Sequence, residues 1–320
     1  MEPTSDEQRA APTLSWVWRL AALTLIWGSS FLLIKVALEG FAPLQVAFWR
    51  ISTGAATLLV IAALSGLRLP TDRRIWLHAA GIGLVSNAIP FTLFAWGETR
   101  LGSVEAGIWN ATTPLMVLLV LLVVPGGERL TGWAAAGLGI GFAGVLVVLA
   151  PWAGLSGGEL SGHLAFAGAA ACYGVATPWI RHAFGNRAES AVQLSAIQVT
   201  CASGWMLLAT APKVGLLPDS TPPLDAVASV VALGALGTAL AYILFTTLIR
   251  QVGSATAASV TYLMPIVSTT LGVFVLGELI GWHEPVGAVV ILLGVATTAW
   301  GASRARARTA EAGQVRPVAS

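Results

Sequence analysis

Several polar side chains stand in the middle of long apolar stretches of this chain. Asn87, Asn110, Thr113, Thr238 and Thr261 are amide or hydroxyl groups flanked by Leu, Val, Ile and Ala. Trp27, Phe91, Trp109, Tyr173, Tyr242 and Tyr262 add aromatic surface near them. Pro114 and Pro265 interrupt two of the stretches. A proline inside a helix removes one hydrogen bond and displaces the carbonyl four residues before it. Those carbonyls belong to Asn110 and Thr261. Such groups bind a small polar solute: carbonyls take an ammonium group, amides and hydroxyls take a carboxylate. They do not perform covalent chemistry. Gly28-Ser29-Ser30 offers hydroxyls, but no central His or Asp activates them, and no HExxH metal motif is present. No catalytic residue, cofactor or metal ligand is assigned, and an enzyme is not expected.

The elements that carry these groups follow from composition. Of 320 residues, 56% are hydrophobic and 10% charged, with a net charge of +2. Soluble domains carry about 25% charged residues, so this chain is read as an integral membrane protein. Its basic residues form no stripe for nucleic acid. A membrane-spanning helix needs about 20 mostly apolar residues. Ten stretches qualify: 16–37, 44–65, 75–96, 103–124, 132–150, 160–181, 190–211, 226–249, 255–276 and 283–301. The first is too long for a signal-peptide core and is read as a retained helix. Residues 1–13 form a polar tail and 303–320 a basic one. Lys and Arg fall mostly on the side shared by both ends, which makes both termini cytoplasmic. The two cysteines, Cys172 and Cys201, lie within apolar stretches and read as packing residues.

The two halves of the chain match. Gly102-Ser103 precedes Pro114 as Gly253-Ser254 precedes Pro265. Gly127-Glu128, Gly137 and Gly144 recur as Gly277-Glu278, Gly287 and Gly294. Trp27-Gly28 pairs with Tyr173-Gly174, Asn87 with Thr238, and Asn110 with Thr261. Each half holds five spans, an odd number, so the second copy enters the membrane upside down. Inverted repeats are a hallmark of secondary transporters, whose sites lie near the midplane between the copies.

Trp27-Gly28-Ser29-Ser30-Phe31, Ile34-Lys35 and Arg50 open the first half, and Gly127-Glu128-Arg129-Leu130-Thr131 comes near its end. With Gly277-Glu278-Leu279 in the second half, the chain resembles the EamA type of the drug/metabolite transporter superfamily. Within it, the chain is most similar to bacterial amino-acid exporters of the YddG type. The resemblance implies an all-α membrane fold of ten helices, built as two inverted five-helix repeats (14–150 and 160–302) around a central cavity. It also implies export of metabolites across the bacterial inner membrane. The second half departs from the opening motif at Tyr173-Gly174-Val175-Ala176-Thr177.

The expected function is a carrier of small polar metabolites, foremost amino acids, working by alternating access. A channel-like pore, a lipid flippase, or a carrier of nucleosides, sugars or drug-like compounds are the other readings. Trp27, Asn87, Phe91, Trp109, Asn110, Thr113, Tyr173, Thr238, Tyr242, Thr261 and Tyr262 are the substrate-binding candidates. A second cluster, Lys35, Arg50, Glu98 and Glu105, lies towards the external side and is expected to form ion pairs that gate the mouth. Arg50 sits about 9 Å from its span end at 1.5 Å per residue. No Asp or Glu is central, so facilitated diffusion or exchange is expected over proton-driven extrusion. Gly137 and Gly141 form a GxxxG face in span five, suited either to dimerisation or to packing within the chain; the chain is expected as monomer or homodimer, with solute and lipid as its partners.

Overall fold

A computed structural model describes residues 15–123, 131–154, 156–185, 187–248 and 260–314. Every regular element among them is helical. The first stretch holds α1 (Ser15–Gly28) and α2 (Ser30–Ala37). α3 is Pro43–Leu64. α4 (Arg73–Gly83) and α5 (Ile89–Gly97) are joined by a π-helical turn at Leu84–Ala88. α6 (Ser103–Asn110), α7 (Thr113–Val123) and α8 (Gly132–Leu149) complete the first half. The second half has α9 (Gly157–Phe184) and α10 (Ala191–Val214). α11 (Leu224–Gly234) leads through a second π-helical turn, Ala235–Leu240, into α12 (241–248). α13 (Val260–Phe274) and α14 (His283–Gln314) follow.

Eight of the helical stretches are long and apolar enough to cross a membrane. Beside them stand α9, with 28 residues, and the shorter apolar α13, with 15. Side chains such as Leu25, Val60, Leu77, Leu146, Leu208 and Leu293 are exposed on the outer faces. Water would penalise that surface, whereas lipid solvates it. Over the described residues, which leave out 124, 249 and 255–259 of the expected stretches, these helices coincide with them to within a few residues. One departure is α14, which runs on to Gln314, so the basic tail expected from 303 is helical as far as it is described. The tail 1–13, Gly127 to Leu130 and the pair Gly253-Ser254 lie outside the described residues.

Local signals set several helix ends. Asp72 accepts a hydrogen bond from the Arg74 amide (2.8 Å) and starts α4. Ser156 with Glu159, and Ser190 with Gln193, are reciprocal capping pairs at the starts of α9 and α10. The Thr131 hydroxyl caps α8.

The first stretch of each half packs on the fourth stretch of the other: α1 lies on α13, and α9 on α7. Glycine allows both contacts. A Cβ on Gly28 would sit 2.5 Å from Val267 Cβ, and one on Gly174 would sit 2.8 Å from the Met116 carbonyl carbon. The second and third stretches exchange in the same way, α3 against α11 and α10 against α4. There a Cβ on Gly234 would meet the Arg50 carbonyl oxygen at 2.7 Å, and one on Gly83 the Gln198 carbonyl oxygen at 2.5 Å. α8 and α14 lie side by side, with Gly137 and Gly144 against Gly294 and Gly287. The GxxxG face of span five is thus occupied by α14 of the same chain.

These close approaches predict a sharp contrast between glycines. Gly174→Leu must push α9 off α7 and costs about 1–3 kcal/mol. Gly139→Leu, in the neighbouring span, has nothing within 4 Å of its Cβ position and leaves stability unchanged. Thermal unfolding of the two purified variants in detergent measures the difference.

Candidate functional site

Where the halves meet, a cavity of about 210 Å³ opens among α1, α2, α3, α5, α6, α7, α9, α12, α13 and the two π-helical turns. It is small against the ~300–1,000 Å³ usual for ligand pockets. Breaks in the helices place polar groups on its wall. The first stretch pauses at Ser29, so that Trp27 and Ser30 both line the cavity. The Ser29 and Ser30 hydroxyls donate to the Ile26 carbonyl at 3.1 and 3.0 Å. They serve to satisfy the backbone, and no base lies on them. The fourth stretch breaks at Ala111-Thr112, whose amides bond three residues back to Ile108 and Trp109. That break presents Asn110 and Thr113 to the cavity.

The two prolines act differently. Pro114 follows the break between α6 and α7, whereas α13 continues through Pro265 without interruption. A break in the helix thus accompanies Pro114 and none accompanies Pro265. Tight turns at Ala111 and Thr112 absorb the missing bond in the first half.

The sequence candidates divide into three groups. Trp27, Phe91, Asn110, Thr113, Tyr173, Tyr242 and Thr261 line the cavity. Asn87 and Thr238 stand one layer behind it, almost wholly buried. Asn87 Nδ2 donates to the Tyr242 hydroxyl at 2.8 Å and so orients a lining group. Trp109 and Tyr262 do not line the cavity. Trp109 instead donates its indole N–H to His163 Nδ1 (3.0 Å) between α6 and α9.

Both π-helical turns lie at this level. One holds Asn87 and the other Thr238, its repeat partner. A π turn frees backbone groups from the regular ladder and often marks a functional site. Trp27 uses this: its indole N–H donates to the Gly237 carbonyl at 3.1 Å, while its ring packs on Phe245 at 5.2 Å. Neither turn is visible in apolar periodicity. Ser86 and Thr177 also line the cavity and were not singled out by the sequence. Their signal was a hydroxyl within four residues of a candidate.

The external charge cluster is arranged differently from expectation. Among the described residues no ion pair joins Lys35, Arg50, Glu98 or Glu105. Arg50 lines the central cavity. Its Nε donates to Thr238 Oγ1 at 3.4 Å, and its guanidinium carbon lies 3.8 Å from the Phe91 ring centre. Lys35 donates to two backbone carbonyls, those of Glu98 (2.7 Å) and Leu101 (2.9 Å). It thereby clamps α2 to the turn between α5 and α6. Glu278, absent from the expected cluster, accepts from the amides of Ser103 (2.8 Å) and Val104 (3.1 Å) and caps α6. Glu105 lies in the first turn of α6, half-buried beside it.

Glu98 follows the end of the span Arg73–Gly97. It is fully buried, and neither carboxylate oxygen has a hydrogen-bond partner. Burial pushes its carboxyl well above the usual carboxylate range, against the pull of the Lys35 ammonium. A carboxyl raised on folding stabilises the fold below its unfolded value, and that contribution is lost as pH rises. Glu98→Gln is therefore expected to be more thermostable than the parent, by a margin that grows from pH 5 to pH 8. Melting curves of both proteins across that range read it; a constant margin contradicts the assignment.

The fold has known counterparts. The model of the EamA-like transporter family matches residues 14–150 and again 160–300. The chain is 30% identical to the uncharacterized inner membrane transporter YedA of Escherichia coli (strain K12), over 86% of this chain and 88% of that one. It is 26% identical to a probable terminal-alkyne amino-acid exporter of Streptantibioticus cattleyicolor, over 88% and 91%. A solved crystal structure aligns with a TM-score of 0.62 at 21% identity, covering 89% of this chain and 97% of that one, which is a likeness of fold. With two copies of the family domain spanning nearly its whole length, this multi-pass membrane protein belongs to the EamA-like transporter family.

Proposed function

We propose that this transporter carries small polar metabolites, foremost amino acids, across the cytoplasmic membrane by alternating access. Its ten helices, counting α9 and α13, form two inverted five-helix repeats, with both termini in the cytoplasm. The observation that carries this reading is the exchange of neighbours around one cavity with polar groups on an apolar wall. α1 on α13 mirrors α9 on α7, and α3 on α11 mirrors α10 on α4. Matched glycines and matched π turns accompany the exchange. Two inverted copies of one unit can swap conformations, so that a central site faces each side in turn.

Contacts at the end of the molecule read as external support a closed outer side. Lys35 holds the turn after α5, and Glu278 caps α6. The likeness to a probable amino-acid exporter supports the cargo class. No Asp or Glu lines the cavity among the described residues, which supports diffusion or exchange over proton-driven export.

Counterflow into proteoliposomes tests the reading. Labelled amino acid is expected to enter faster when unlabelled substrate is trapped inside, to saturate, and to need no pH gradient. A channel gives no such stimulation, and strict dependence on the gradient removes the coupling assignment. Arg50→Ala is expected to abolish flux in protein that still elutes as a folded species.

A further inference from the structure

Among the described residues lining the central cavity, Arg50 is the one with a formal charge. It is 6% exposed. Its Nε is used on Thr238. The terminal nitrogens make no hydrogen bond with another described residue, and the guanidinium carbon lies over the Phe91 ring, 3.8 Å from its centre. The groups that face it electrostatically are the Tyr173 and Tyr242 hydroxyls, which line the cavity, and Glu98 beyond hydrogen-bond reach. A desolvated cation without a counter-charge is costly in a protein interior.

The other half provides a comparison. Gly83 approaches the Gln198 carbonyl as Gly234 approaches the Arg50 carbonyl, so Gln198 holds the place of Arg50 in the second repeat. Gln198 is neutral and its amide nitrogen uses both donors, on Ser86 Oγ (2.9 Å) and Asn87 Oδ1 (2.8 Å). Thus Gln198 binds Asn87 as Arg50 binds Thr238, its repeat partner. One copy closes its polar network, while the other leaves a two-pronged cationic donor at the cavity.

We infer that Arg50 holds the carboxylate of the cargo, and that the transported class is small monocarboxylates with a compact apolar body, with or without an α-amino group. This deepens, and rests on, the reading of the cavity as the transport site. The guanidinium fork matches the two oxygens of a carboxylate, and the pair forms charge-assisted hydrogen bonds. Phe31, Phe91, Phe94 and Phe245 supply the apolar wall. Among the described residues no carboxylate lines the cavity, so the cargo's carboxylate finds a charged partner there and its amine does not. A single guanidinium balances the one negative charge of a carboxylate, whereas it leaves a phosphate dianion half neutralised.

The test is a matched set of probes titrated calorimetrically into the full-length protein in detergent: leucine, 4-methyl-2-oxopentanoate and 3-methylbutylamine. The two carboxylates are expected to bind within about threefold of each other, and the amine not at all. Arg50→Gln, which copies the residue of the second repeat, is expected to weaken both carboxylates by about thirtyfold or more. Arg50→Lys, with charge but no fork, recovers part of the loss. Tight binding of the amine, or unchanged carboxylate affinity in Arg50→Gln, overturns the inference. The comparison of probes on the parent protein stands even if a variant does not fold. Binding of neither carboxylate also overturns it. Proteoliposome exchange of a nucleoside or a sugar in that case leaves the carrier reading intact, and absence of exchange with any solute removes both.

Discussion

Lipid tails are as apolar as leucine, so two helices gain little from the hydrophobic effect by meeting inside a membrane. What holds them is close packing, which requires backbones to approach. In this protein close approaches between the halves use glycine on at least one side: Gly28 on Val267, Gly174 on Met116, Gly83 on Gln198, Gly234 on Arg50. Each pair is repeated in the opposite half. The cavity is the space left where these crossings diverge, so the same glycines that bind the halves together define its position. A transporter needs such an interface to be tight yet bistable, and backbone contacts at small residues change register without dragging large side chains across a core.

A second constraint works against the first. Backbone polar groups in hydrocarbon must be satisfied, yet a solute site needs polar groups that are free to bind. The structure meets both demands with local irregularities. The pause at Ser29, the break at Ala111-Thr112 and the two π turns each interrupt the ladder at the level of the cavity. Side chains then satisfy much of what is released: Ser29 and Ser30 bond Ile26, Thr112 bonds Trp109, and Trp27 bonds Gly237. The charged groups follow the same economy. Lys35 is spent on carbonyls and Glu278 on amides. Arg50 and Glu98 are left incompletely paired, one at the cavity and one at the end of α5.

The sequence by itself determined a good deal. Span length and charge placement are additive properties of neighbouring residues, and they located most helices to within a few residues. The repeat was legible because glycines recur at fixed spacing, and the mid-span polar residues Asn110, Thr113 and Thr261 were legible because such groups are rare in lipid. Tertiary structure decided the rest. Arg50 was read as a gate because depth along a helix says nothing about which way the residue turns; packing of α3 on α11 directs it to the cavity. Trp109 was read as a wall residue, but its partner His163 lies on another helix. The π turns depend on bonding between residues five apart, which leaves no trace in a period of 3.6. Gln198 was invisible as the counterpart of Arg50 because the glycine landmarks do not extend into α3 and α10, where the register between halves shifts. One-dimensional patterns report on solvation and local geometry. Which polar groups share one space depends on helix crossings, and those are set by contacts between residues far apart in the sequence.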